Sequence, residues 1–301
     1  PRVVTRQSER WPMPDSVVVK TVAALRQTVA AWRADGHSVG LVPTMGFLHR
    51  GHIALVEEAR AKTDRVVASI FVNPSQFGEN EDFRTYPRDL DGDLTKLDDA
   101  GTSIAFVPDV MEMYPHRFSS SVSVTGITNG LCGASRPGHF EGVATVVTKL
   151  LLQCLPDRAF FGEKDYQQLQ VIRRMVRDLD IPVDIAGVPT VREDDGLAIS
   201  SRNAYFTAEQ RASAPELYRA ISAAASAAAT GATAASICAE ARARLHAVGF
   251  APIDYVEMCD AETLEPVEVA NRPTRVFVAA NLGTTRLIDN VAVVGWVNAA
   301  D

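Results

Sequence analysis

Two histidines, spaced as His49-Arg-Gly-His52, follow a glycine-bearing turn, Pro43-Thr-Met-Gly-Phe-Leu48. An imidazole can donate to a phosphate oxygen whether it is neutral or protonated. Lys164, in Gly162-Glu-Lys-Asp165, can neutralise a phosphate. Asp165 can accept from a ribose hydroxyl, although on its own it reads first as a helix N-cap. Ser200, Ser201 and Arg202 bring two hydroxyls and a guanidinium together after a glycine-containing loop. That set suits a clamp on phosphate, or a capped helix start with a surface arginine. Gln76 and Gln168 carry amides that both donate and accept, as a substrate with hydroxyl and carboxylate groups requires; singly, each reads as a surface residue. Arg136 and His139 lie in Ser135-Arg-Pro-Gly-His-Phe-Glu-Gly142, a loop running into a helix. The histidine pair at the glycine turn outlines the triphosphate end of a nucleotide site.

The surrounding pattern supplies the supports. Residues 39–42 form an apolar run of the kind buried as a strand, and residues 53–62 have the spacing of an amphipathic helix. A strand, a glycine turn and a helix N-terminus make a general anion site, because free N–H groups and the helix dipole face the ligand. Strand patterns at 17–20, 65–72, 103–107, 158–161 and 183–188 alternate with helix patterns at 21–34, 89–100, 140–155 and 166–179. This alternation predicts βαβ units and a parallel, Rossmann-like sheet. Residues 119–125 alternate weakly and are expected as an edge strand. The alanine-rich stretch 207–248 reads as two helices separated by Gly231, because alanine has the highest helix propensity. Three later strand-like runs predict a small antiparallel sheet. The expected fold is therefore α/β: a Rossmann-like domain over 1–190, with 1–15 a loose tail, then a smaller α+β C-terminal domain over 191–301.

The chain has 301 residues, a 47% apolar fraction and a formal net charge of -7. An acidic balance argues against a general nucleic-acid surface, which needs a basic face. No apolar run approaches a membrane span. Residues 1–10 lack the apolar core of a signal peptide; the sequence opens on Pro1 rather than Met, which leaves a trimmed or processed start open. The four cysteines form no CxxC pair, so neither a disulfide framework nor a zinc knuckle is expected, and a reducing cytoplasm is.

Six stretches in this order resemble the pantothenate synthetase (pantoate–β-alanine ligase) family of the HxGH nucleotidylyltransferase superfamily. They are Pro43-Thr-Met-Gly-x-Leu-His-x-Gly-His52, Phe71-Val-Asn-Pro-x-Gln-Phe77, Tyr86-Pro-Arg88, Arg136-Pro-x-His-Phe140, Phe161-Gly-Glu-Lys-Asp-Tyr-Gln-Gln168 and Ser200-Ser-Arg-Asn203. The resemblance covers about residues 18 to 295.

It implies that ATP and pantoate form pantoyl adenylate and pyrophosphate, and that β-alanine then displaces AMP. It implies an ATP cradle of Met45, Gly46, Phe47, Leu48, His49, Arg50, Gly51 and His52, with His52 as donor and His49 as its partner. Gly162, Glu163, Lys164 and Asp165 would hold the nucleotide, with Lys164 on phosphate, and Val191 would meet the adenine through its backbone. Ile199, Ser200, Ser201 and Arg202 would form the closing strap; Ile199 stands where the family usually has Met. Gln76 and Gln168 would bind pantoate, with Asn73, Arg136 and His139 in the same substrate-binding set and Asn73 near phosphate. The catalytic set so implied is His52, His49, Lys164 and Arg202. Mg²⁺ would bridge phosphate oxygens. Asp93 is a possible ligand, while Gly92 and Lys96 stand where relatives carry acidic or amide groups, so the metal ligands stay open. A homodimer through the first domain is also implied, where apolar residues cluster over 104–124. A plain nucleotidylyltransferase and a non-catalytic nucleotide-binding module are the competing readings.

Overall fold

The computed structural model describes residues 17–79 and 81–295. The expected tail over 1–15 lies outside the described residues. Six parallel strands form one sheet in the order β1-β4-β3-β2-β5-β6. They are β1 (Val17–Val19), β2 (Val39–Thr44), β3 (Arg65–Ile70), β4 (Ile104–Phe106), β5 (Arg158–Gly162) and β6 (Asp184–Val188). Central β2 is buried nearly throughout, as a parallel strand covered on both faces must be. Helices α1 (Val22–Ala34), α2 (Arg50–Lys62), α3 (Leu90–Asp99), α6 (His139–Cys154) and α7 (Tyr166–Asp178) accompany the sheet, with short α4 (Val110–Met113) and α5 (Leu131–Ser135) before α6.

The direction of winding reverses at β2. Strands β3 and β4 follow it on one side, and β5 and β6 lie on the other. At this switch β2 and β5 pair only through Gly40 with Arg158 and Leu41 with Ala159. Beyond those pairs the carboxyl ends have no ladder between them, and a crevice opens there, where open α/β sheets bind ligands.

A second sheet is antiparallel, ordered β7-β8-β9, with β7 (Phe250–Asp260), β8 (Thr274–Leu282) and β9 (Thr285–Ala292). Its period-2 alternation serves two cores. Val276, Val278 and Ala280 pack with helices α9 (Glu216–Ala229) and α10 (Ala234–Ala247). Phe277 and Ala279, with Tyr255 and Cys259 of β7, join the core of the first sheet. The alanine-rich stretch forms the two expected long helices, parted at Gly231, and a short α8 (Ala208–Ser213) precedes them.

One expected strand is absent. Residues 119–125 form no ladder; instead the Val122 N–H donates to the Thr145 hydroxyl of α6 at 2.9 Å. Their serines and threonine offer side-chain partners that compete with strand pairing.

Candidate active site

The turn after β2 runs directly into α2, and its geometry is held from beneath. Gly46 has φ +80° and Phe47 φ 48°, left-handed conformations that cost a non-glycine residue about 1 kcal/mol or more. Asp93 of α3 offsets this: its carboxylate accepts the N–H groups of Phe47 at 2.7 Å and Leu48 at 2.6 Å. A Cβ on Gly46 would lie 2.9 Å from the same carboxylate, so the close approach requires glycine. Asp93 is 1% exposed and engaged by the loop. The carboxylate, named above as a possible metal ligand, is here buried against two backbone N–H groups and is not among the residues lining the cavity.

His49 caps α2 and His52 completes the first turn. The Gly51 N–H donates to His49 Nδ1 at 3.2 Å, and the His49 N–H donates to His52 Nδ1 at 3.3 Å. The arrangement is a capping box built from two imidazoles, whose rings stack at 4.0 Å. Since both Nδ1 atoms accept, a neutral ring carries its proton on Nε2. Burial pushes His49 down to about 4, and nearby Lys164 adds to the effect. Burial likewise pushes His52 down to about 3, reinforced by His49 and then Lys164. Both rings are therefore neutral near pH 7.

His49 and His52 line a cavity of about 240 Å³ at the switch point, together with Met45, Gly51, Gly162 and Lys164. Asp165, Gln168, Val191, Ile199, Ser200, Ser201 and Arg202 also line it, as do Asn73, Gln76, Arg136 and His139. Other residues of the expected cradle stand back. Gly46, Phe47 and Leu48 shape the turn beneath, and Glu163 lends its backbone. Arg50 points outward and pairs with Glu193 at 2.6 Å.

Gln76 is held firmly. Asn73 Nδ2 donates to the Gly142 carbonyl at 3.2 Å and to Gln76 Oε1 at 3.0 Å. The Tyr114 hydroxyl and the Ser75 N–H donate to Asn73 Oδ1. The amide orientation of Asn73 thus follows from backbone partners, and it sets that of Gln76, whose Nε2 is left facing only the Met45 sulfur at 3.2 Å. Asn73 is 1% exposed with its amide fully engaged, so it positions Gln76; the expectation that it meets phosphate directly finds no free group to do so. Gly142 permits the contact, since a Cβ there would lie 2.3 Å from the Ser75 carbonyl. The Gln168 side chain, by contrast, has no hydrogen-bond partner among the described residues, and the residue lines the cavity.

Arg136 and His139 also brace Gln76. Arg136 Nε and Nη2 meet the Glu81 carboxylate at 2.7 and 2.5 Å, and its Nη1 lies 3.0 Å from His139 Nε2. His139 Nδ1 donates to the Gln76 carbonyl at 2.9 Å. Burial, then the Arg136 charge, lowers His139 to about 4.

Asp165 occupies the N-cap position of α7 but makes no capping hydrogen bond. Its carboxylate lies 3.7 Å from the Lys164 ammonium, at the cavity wall. The capping account of Asp165 therefore does not hold. Asn290 of β9 donates to the carbonyls of Glu163 and Lys164, at 2.9 and 3.0 Å, and so fixes the turn that carries the lysine.

The strap begins in a tight turn closed by Ile199 N–H to the Val191 carbonyl at 3.0 Å. Arg192 in this turn forms two bonds to the buried Asp289 carboxylate, at 2.6 and 2.9 Å. Ser200 accepts from the Arg202 N–H, and the Ser201 hydroxyl donates to the Phe47 carbonyl at 3.4 Å. Burial opposes the Arg202 charge, but Asp82, bonded at 2.8 and 3.1 Å, outweighs it and raises the guanidinium's pKa. A second cavity of about 630 Å³ lies between the strap and β9, and shares Arg136, Lys164, Asp165, Ser200 and Arg202 with the first.

Several participants carried no separate signal in the sequence. Val143, Val146, Val147 and Leu150 show the apolar spacing of a buried helix face, yet that face also walls the cavity. Glu81, Asp82, Asp289 and Asn290 act at long range, and no local pattern marks them.

The family model for pantoate-beta-alanine ligase matches residues 17–292. The chain is 61% identical over 276 residues to a pantothenate synthetase of Paramagnetospirillum magneticum, covering 92% of this chain and 97% of that one. The fold is similar to the crystal structure of pantothenate synthetase from Thermus thermophilus, at TM-score 0.87 and 51% identity over 92% of this chain and 99% of that one. It is also similar to pantoate-beta-alanine ligase from Francisella tularensis complexed with beta-gamma ATP and beta-alanine, at TM-score 0.79 and 32% identity over 92% and 97%. With its six motifs gathered round one crevice and a family match along nearly its whole length, the chain belongs to the pantoate-beta-alanine ligase family.

Proposed function

We infer that this protein condenses pantoate with β-alanine to pantothenate, consuming ATP and releasing AMP and pyrophosphate. The observation that carries this is the composition of the first cavity. Phosphate donors, His49, His52 and Lys164, share one crevice with two amides, Gln76 and Gln168. A phosphate site alone serves any nucleotidyl transfer; the two amides add a place for a hydroxy acid.

In the first step a pantoate carboxylate oxygen attacks the α-phosphorus, and the bond to the β-bridging oxygen breaks. His49 and His52 donate through Nε2–H to oxygens that gain charge, and Lys164 places a cation beside them. Such preorganised donors act where charge develops. Gln76 and Gln168 hold the acid in line, and the apolar face at Val143 and Val147 suits pantoate's methyl groups. In the second step the β-alanine nitrogen attacks the acyl carbon, its bond to the phosphate oxygen breaks, and AMP leaves as the nitrogen loses a proton. The amine binds next to Gln76. Positioning supplies much of the rate in both steps.

Gly162 and the turn to Asp165 hold the ribose side, and the Val191 backbone meets the adenine. Ser200, Ser201 and Arg202 close over the phosphates, as part of a lid comprising residues 191 onward. Magnesium would enter with the nucleotide. Among the described residues no cluster of three His, Cys, Asp or Glu could hold a metal by itself, so the nucleotide would supply most of the ion's ligands. When bound, the ion would neutralise phosphate charge. Exposed Val17 and Val18 on the outermost strand, with Val110, Met111 and Phe118, support a dimer through the first domain, which light scattering measures. Among the described residues no helix is long and apolar enough to cross a membrane.

AMP release tests the reading. AMP should form only when ATP, pantoate and β-alanine are all present. A protein that gives no AMP with this mixture is not this ligase.

A further inference from the structure

We propose that the adjacent carboxylates Glu81 and Asp82 brace the two walls of the site to each other, Glu81 holding the acid-substrate wall through Arg136 and Asp82 holding the strap through Arg202. This rests on the ligase reading above. Arg136 can only donate, so His139 Nε2 accepts from it and His139 Nδ1–H donates to the Gln76 carbonyl. Glu81 therefore stands at the far end of a directed chain that terminates on the substrate-binding turn. Asp82 takes one edge of the Arg202 guanidinium, through Nε and Nη2, and leaves Nη1 for a phosphate.

The two carboxylates cannot move independently. They are consecutive, and the turn that bears them is closed by Glu81 N–H to the Gly78 carbonyl and Thr85 N–H to the Asp82 carbonyl, both at 3.1 Å. Phe77 packs on Phe83 and Tyr86, with ring centroids 5.4 and 5.9 Å apart. Arg88 ties the carbonyls of Phe83 and Tyr86 together, and Tyr205 reaches the Thr85 carbonyl from the strap side. Both arginines border both cavities. Glu81 and Asp82 act through these arginines and are positioning residues. Binding of the acid substrate should consequently order the strap before the adenylate forms.

The test compares wild type with Glu81→Gln, Asp82→Asn and Asp82→Glu in steady-state kinetics. A brace gives crossed effects: Asp82→Asn lowers kcat about tenfold and also raises the KM for pantoate, while Glu81→Gln raises that KM and also lowers kcat at saturating pantoate. Asp82→Glu, which keeps the charge, should recover most of the kcat. One-sided effects in both neutral variants, or an Asp82→Glu no better than Asp82→Asn, overturn the brace. Hydrogen exchange on the wild type needs no variant: pantoate alone should slow exchange across residues 200–205, and protection confined to the Gln76 and Arg136 segments overturns it as well. Wild type that forms no AMP defeats the ligase reading, and the brace with it; active wild type with unchanged variants defeats the brace alone.

Discussion

The backbone N–H of His49 donates to Nδ1 of His52, so the ring proton of a neutral His52 is carried on Nε2. One hydrogen bond thereby caps a helix and selects a tautomer. Substitutions can separate the two effects. Asn at 52 keeps an acceptor near the Nδ1 position and removes the Nε2 donor; Gln reaches the Nε2 position. His52→Asn should lower kcat/KM by about 10²–10³, the scale of losing one preorganised donor, and His52→Gln should lose less. Melting temperatures alongside the kinetics would show whether the Asn variant keeps the cap. Unchanged turnover in His52→Asn would remove the donor role.

Acid should disturb this pair late in the folded protein and early in the unfolded one. In the folded state burial holds His49 near 4 and His52 near 3, below their unfolded value of about 6.5. Between these values the unfolded chain binds more protons, so stability is fully present above about pH 6.5 and falls as pH drops toward 4. Melting temperature should decline over that range, with a shallower slope in His52→Asn. The acid limb of kcat/KM for ATP due to His49 should lie near pH 4, well below that of a free imidazole.

Asp93→Asn should separate a loop anchor from a metal ligand. One oxygen becomes an NH₂ facing a backbone N–H, so one of Phe47 N–H and Leu48 N–H loses its partner, a loss of about 1–3 kcal/mol for a buried donor. The expected outcome is a raised KM for ATP with an unchanged midpoint for Mg²⁺ dependence. A large rightward shift of the Mg²⁺ titration would restore Asp93 as a ligand.

Asn290 holds the Lys164 turn from the other sheet. Asn290→Ala leaves the carbonyls of Glu163 and Lys164 without this donor, and removes the acceptor of Arg275 Nε at 2.8 Å. Each buried group left unpaired costs about 1–3 kcal/mol. Denaturant unfolding should show the loss, and kcat should fall as Lys164 shifts. Normal stability with normal kcat would mean that the turn holds its shape without β9.

Gly142→Ala places a Cβ 2.3 Å from the Ser75 carbonyl, against backbone rather than a side chain that can swing away. The turn bearing Gln76 must move. Overpacking of this kind costs about 1–3 kcal/mol, and the KM for pantoate should rise more than the KM for ATP. Equal changes in both would place the strain elsewhere.

The alternation of strand and helix patterns was legible because each is a local periodicity. So was the strand–turn–helix around His49 and His52, which needs only an apolar run, a glycine and a helix start. Residues 119–125 misled because alternation over so few residues measures exposure, while a strand also requires a neighbour to pair with. Asp165 misled in another way: it occupies the cap position its residue type favours, yet its carboxylate turns to the cavity.

The sequence by itself determined the residue types at the site, their order along the chain, the parallel sheet and the family. These are properties of short windows and of motifs in succession. Tertiary structure decided which side chains are free to meet a ligand. Asn73, Asp93, Arg136 and His139 look like ligands in the sequence, and folding engages them with Gly142, Phe47, Glu81 and the Gln76 carbonyl. The physical reason is that a buried polar group must find a partner, and that partner can come from anywhere in the chain. The protonation of His49 and His52 was settled the same way, by a backbone N–H on each Nδ1 and by burial at the place where β2 and β5 part.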